Sequence, residues 1–128
     1  MSFRWISKRA VIAIHYEQLT LHGGLSGIRD KGLLESALAR PQNLAVYENV
    51  GLSKCAAAYA YGITRNHPFN DGNKRTGFIT AVTFLLLNDH YINASEKDVF
   101  LTITQLAEGN MTEEELIDWF DQIIINLP

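Results

Sequence analysis

Residues 53–88 constrain this chain more than any other part of it: a helix of small residues, a polar turn and a strongly apolar helix follow one another directly. Ser53 is placed to cap the first helix, which runs through Cys55, Ala58, Tyr59, Gly62 and Ile63. Alanine and glycine on one face let a neighbouring helix approach closely, so this helix is expected at the centre of the fold. Pro68, Asn70, Asp71 and Gly72 supply turn chemistry. The apolar helix then starts at Asn73 or Lys74 and runs to Asn88.

Helix signals dominate the remainder. Ser7 is an N-cap, with Ile6 and Val11 spaced as a hydrophobic staple, Ile12, His15 and Leu19 continuing the face, and Gly23 as the stop. Asp30 caps a short helix carrying Leu33, Leu34, Ala37 and Leu38, which Pro41 is expected to end. Ser95 opens a helix ending at Gly109, and Thr112 with Glu115 forms a capping box for the last one. Between residues 23 and 27 the chain is too glycine-rich for a regular element and reads as an exposed flap. Period-two alternation is missing apart from room for a short strand or two near that flap. The expected fold class is therefore all-α, a helical bundle forming one domain over residues 1–128.

Composition narrows the function. Lys+Arg 11 against Asp+Glu 14 gives a formal net charge of −3, which offers no general field for a phosphate backbone, so no nucleic-acid partner is expected. One cysteine excludes an intramolecular disulfide and a Cys-rich zinc site, and fits a reducing cytoplasm. The densest apolar run, Phe78 to Leu87, is broken by Thr80 and Thr83, so no membrane span is expected. Against this acidic background Arg65, His67, Lys74 and Arg75 stand close together.

The chemistry concentrates in His67-Pro68-Phe69-Asn70-Asp71-Gly72-Asn73-Lys74-Arg75-Thr76. Its end enters a helix N-terminus, where free N–H groups and a partial positive charge favour a phosphate. Gly72 lets the backbone come close to an anion, and Lys74 and Arg75 add cationic donors, Arg75 in bidentate form. Asp71 is a hard oxygen ligand suited to Mg²⁺ shared with nucleotide phosphates. Histidine as a residue type can exchange protons near neutrality, which makes His67 the natural base for an incoming hydroxyl. Base, metal ligand and anion clamp within ten residues describe phosphoryl or nucleotidyl transfer. The plainer roles are a loop histidine, an Asx-turn aspartate, an N-cap asparagine and two solvated helix-end cations.

This segment resembles the Fic/Doc family signature H-x-F-x-[DE]-G-N-[GK]-R at every constrained position: His67, Phe69, Asp71, Gly72, Asn73, Lys74 and Arg75. Residues 23–30 and 33–41 are similar to the N-terminal signature of the death-on-curing (Doc) branch, so the likeness runs from about residue 10 to 120. The resemblance implies a compact Fic/Doc-type bundle around a central helix–loop–helix. His67 would deprotonate a target hydroxyl, Phe69 would anchor the loop, and Asp71 would hold Mg²⁺. Gly72, Asn73 and Arg75 would line the phosphate site. Lys74 stands where AMP-transferring members have a second glycine, and Phe78 where they usually have another arginine. Both departures favour an ATP turned so that its γ-phosphate meets the acceptor. The implied protein is a Doc-like toxin: a kinase using ATP and Mg²⁺ on a Ser/Thr hydroxyl of a target protein, expected in the translation machinery. Its implied partner is a cognate antitoxin whose tail blocks the site. Protein AMP transfer, and a module that binds nucleotide or a partner without turnover, are the alternatives.

Other residues receive quieter expectations. His15, His22 and His90 have no companions at ligand spacing and are read as amphipathic or surface histidines. A metallohydrolase reading has no His-Glu-x-x-His or His-Asp motif behind it. Cys55 is expected to be inert core, and Trp5 and Trp119 to pack helices. Thr104 to Gly109 matches the short [ST]-x-x-x-E-[GN] pattern by which some Fic proteins inhibit themselves, but is read as a helix end. The flap from Gly23 to Arg29 is expected to help position a target segment.

Overall fold

The computed structural model describes residues 2–128. Six helices run α1 (Lys8–His22), α2 (Lys31–Glu48), α3 (Leu52–Asn66), α4 (Asn73–Leu87), α5 (Glu96–Ala107) and α6 (Glu113–Ile123). Two short strands, β1 (His90–Ile92) and β2 (Ile124–Asn126), pair antiparallel with Tyr91 opposite Ile125. The fold is all-α, as the sequence leads one to expect. The strands do not lie near the glycine flap; there only a single bridge forms, between Ile28 and Phe69.

Helix α3 is the hub, buried without interruption from Cys55 to Ala60 and again from Gly62 to Thr64. Its small residues do what small residues permit. A Cβ on Gly77 of α4 would lie 3.0 Å from the Ala60 carbonyl, and one on Gly62 would lie 3.5 Å from Ala37 Cα of α2. Helices packed this closely bury Tyr59, Phe69, Phe84 and Phe120 completely. Trp5 stacks on Phe84 of α4 at 5.4 Å and Trp119 of α6 meets Phe78 of α4 at 6.5 Å, so both tryptophans pack against a helix. The Tyr59 hydroxyl accepts the Ile6 N–H at 3.1 Å and pins the N-terminal segment to α3. Cys55 is fully buried, and burial pushes its thiol up to about 11, which keeps it protonated and inert.

The local start signals work as read. Ser7, Asp30, Ser95 and Thr112 each accept the N–H three residues on, at 3.0–3.1 Å, and Glu115 closes the capping box by accepting the Thr112 N–H. Ile6 and Val11 are both buried. Gly23 ends α1 with φ 77°, and Gly109 follows α5 with φ 79°.

Three expectations need correction. Pro41 does not end α2, which continues to Glu48 and stops at Asn49 in the left-handed region. Pro41 lies on the inward face with Leu34, Ala37 and Leu38, so packing against α3 offsets the hydrogen bond that proline cannot donate. Ser53 does not cap α3; it lies inside the helix, which begins at Leu52 with Gly51 at the cap position and no side-chain cap bond. Val50 and Leu52 pack against the core and set the entry instead. On α1 the inward face is Val11, His15 and Gln18 rather than Ile12, which is exposed.

Candidate functional site

The turn between α3 and α4 opens on a cleft of about 200 Å³ lined by Thr64, His67, Asp71, Gly72, Asn73, Lys74, Arg75 and Ala107. All six residues singled out in the sequence as site residues (His67, Asp71, Gly72, Asn73, Lys74 and Arg75) therefore face one space. His67 caps the C-terminus of α3 in the left-handed conformation (φ 53°, ψ 52°), its N–H reaching back to the Ile63 carbonyl. That turn swings its exposed side chain away from the helix axis towards the cleft.

Loop closure depends on Asn73. Its side-chain oxygen accepts the Phe69 N–H at 2.9 Å and its amide donates to the Phe69 carbonyl at 3.0 Å, both buried. This engages both ends of the amide, so Asn73 holds the loop with its side chain and has its backbone N–H for the cleft. Phe69 is fully buried, the anchor that the sequence suggests.

Gly72 occupies the N-cap of α4 at φ 75°, and no side chain caps the helix. First-turn N–H groups have no intrahelical partner, and here they meet the cleft. The first turn holds no acidic residue, whereas Lys74 and Arg75 stand in it, neither in an ion pair with a described carboxylate. Arg75 Nε is buried with no hydrogen-bond partner among the described residues. Phe78 points elsewhere, towards the ring of Trp119 at 6.5 Å.

Asp71 is exposed at the mouth of the cleft. Its carboxylate accepts the Leu25 N–H at 3.2 Å through Oδ2 and the Gly72 N–H at 2.8 Å through Oδ1. These two backbone donors, then Arg75 and His67 at longer range, hold its pKa below the ordinary value against a weaker opposing effect of burial. The group is thus an anion at neutral pH, with lone pairs left over for a cation. Among the described residues no cluster of three or more His, Cys, Asp or Glu side chains stands ready to hold a metal ion.

The flap is tied to this loop rather than free. Leu25 donates to Asp71, Asn70 donates from its backbone to the Gly27 carbonyl and from its side chain to the Ser26 carbonyl, and Arg29 and Asp30 N–H both reach the Pro68 carbonyl. The close approach explains two glycines: a Cβ on Gly24 would lie 2.7 Å from Asp71 Oδ2, and one on Gly27 would lie 2.9 Å from Asn70 Nδ2.

Two supporting residues escape a reading of the sequence. Arg29 donates through Nε to the His67 carbonyl at 2.7 Å and through Nη2 to the Asn66 carbonyl at 3.0 Å, closing the end of α3. His15, expected to be an unremarked amphipathic residue, is 5% exposed, bonds the Asp71 carbonyl through Nε2 at 2.8 Å and stacks on Phe69. Only its place on the inward stripe of α1 hints at this. Glu108 is exposed just past α5 and forms no ion pair among the described residues.

The model of the Fic/DOC family matches residues 5–85, which includes the whole of this loop, α3, the flap and all but the last two residues of α4. The chain belongs to the Fic/DOC family. It is 36% identical over 116 residues to the protein kinase Doc of Escherichia phage P1, covering 90% of this chain and 91% of that protein. It is 45% identical over 69 residues to the toxin Doc of Mycolicibacterium smegmatis, about half of each chain. Its likeness to named Doc proteins thus spans nearly its full length. No helix among the described residues is long and apolar enough to cross a membrane.

Proposed function

We propose that this Fic/DOC protein is a Doc-like toxin that moves the γ-phosphate of ATP to a Ser or Thr hydroxyl of a target protein. The observation that carries the reading is the start of α4: an uncapped helix N-terminus with Gly72, Lys74 and Arg75, facing the same cleft as His67 and Asp71. That arrangement suits a polyphosphate next to a base. The name of the phage P1 relative, a protein kinase, supports transfer of phosphate. So do Lys74, which fills space that a glycine would leave open, and Phe78, which packs on Trp119 and brings no second cation.

Each residue then has a task. His67 accepts the proton of the attacking hydroxyl. The N–H groups of the first turn of α4 and the side chains of Lys74 and Arg75 hold the phosphates, and the unpaired Arg75 Nε is a donor in need of an acceptor. Asp71 fits a Mg²⁺ ion, being ionised, exposed and oriented by two N–H groups. When bound, that ion neutralises phosphate charge. The partners are a translation-associated target protein and a cognate antitoxin that covers the cleft, the latter supported by the toxin name of the mycobacterial relative.

The test is a cell extract incubated with the protein and ATP labelled at the γ or the α position. Label from the γ position on one protein, lost with His67→Ala, is the expected result. Retention of α label overturns the kinase reading in favour of AMP transfer. Growth arrest by His67→Ala as strong as that by wild type overturns catalysis altogether.

A further inference from the structure

His15 lies 56 residues before Asp71 in sequence, yet it touches Phe69 and Asp71 and lies beside Gly72. Its Nε2 is 2.8 Å from the Asp71 carbonyl oxygen. Its ring is parallel to that of Phe69, with centroids 3.8 Å apart and planes at 7°. Its Cδ2 is 3.8 Å from where a Cβ of Gly72 would stand. A carbonyl oxygen only accepts, so Nε2 carries the proton and the ring is fixed in that form.

The peptide unit joining Asp71 to Gly72 is planar. Its carbonyl is gripped by His15, and its N–H, on the opposite side of the same plane, is the one that Asp71 Oδ1 accepts at 2.8 Å. Turning that plane turns the donor that aims the carboxylate. A phenylalanine at position 15 would keep the stack; only the polar bond requires a histidine.

We propose that His15 is a positioning residue that sets the orientation of the Asp71 carboxylate through the Asp71–Gly72 peptide plane. The proposal rests on the assignment of Asp71 as the Mg²⁺ ligand. A group that orients a ligand in this way typically changes metal affinity or activity by about 10- to 100-fold.

The experiment compares the full chain with His15→Phe, which keeps the ring without the donor, and His15→Gln, whose amide places an N–H near the same point. Melting temperature reports the fold, the Gly72 amide resonance reports the peptide plane, and Mg²⁺ titrated in the presence of ATP is followed by that resonance and by γ-phosphate transfer. Expected are a shifted Gly72 resonance in His15→Phe, a half-saturating Mg²⁺ concentration raised about tenfold or more, and recovery of most of the loss in His15→Gln. A folded His15→Phe with wild-type Mg²⁺ dependence and an unmoved Gly72 resonance overturns the proposal. So does a His15→Gln protein that is folded and as impaired as His15→Phe. Wild-type protein that binds Mg²⁺ with ATP but transfers no phosphate overturns the kinase reading instead, while the Gly72 resonance still decides the role of His15.

Discussion

Helices α4 and α6 begin in opposite ways. At α6 the Thr112 hydroxyl and the Glu115 carboxylate exchange hydrogen bonds with each other's backbone, and Glu113, Glu114 and Glu115 place negative charge at the positive end of the helix. Arg40 of α2 adds a two-nitrogen grip on Glu113. At α4 the cap is Gly72 with no side-chain bond, acids are missing from the first turn, and Lys74 and Arg75 stand at the end where cations are unfavourable. One start is closed by its own side chains; the other has no side-chain cap and two cations beside it. The same helix chemistry contributes stability at α6 and, in the function proposed above, would hold phosphate at α4.

Breaking the α4 side of this contrast should have the largest effect. Arg75→Ala is expected to lower phosphate transfer on the order of 10²- to 10³-fold, the scale for losing one preorganised donor to a transferring group. Its melting temperature should stay level or rise, because a cation leaves a helix N-terminus. A single-turnover assay beside a thermal melt checks both, and a protein that loses stability as well as transfer breaks the comparison. Asn73→Ala removes both buried bonds to Phe69 and should cost about 1–3 kcal/mol in urea unfolding, with transfer falling too as the loop loosens. Thr112→Ala opens the capping box of α6 and should cost about 1 kcal/mol with transfer unchanged. A change in transfer there would mean that α6 is not merely structural.

The mildest prediction concerns pH. Because two backbone donors lower the Asp71 pKa, the stabilisation from this carboxylate is present above its ordinary value of 3.8 and is lost as pH falls through the lowered one. The Leu25 amide proton, which bonds Asp71 Oδ2, should therefore follow a titration whose midpoint lies below 3.8. A midpoint at or above 3.8 would show that the flap is not tied to Asp71.

What could be read from the sequence was the chemistry that acts within about four residues. Ser7, Asp30, Ser95 and Thr112 each bond a neighbour three positions away, so their helix starts are legible as strings of letters. The loop from His67 to Arg75 is legible for the same reason: its turn, its left-handed glycine and its helix entry are one local unit. Pro41 misleads because the rule that proline ends a helix is also local, while its inward packing beneath α3 is not.

The sequence by itself determined an all-α fold class and a polar turn that carries a histidine, a carboxylate and two cations. Tertiary structure decided what joins the local Asn73–Phe69 bonds in holding that turn in shape. His15 and Arg29 reach it across 56 and 38 residues of chain, the flap glycines are required by side chains 47 and 43 residues away, and β1 finds β2 only once α6 has returned to it. Contacts of that span depend on how helices pack, and packing has no signature in any short run of residues.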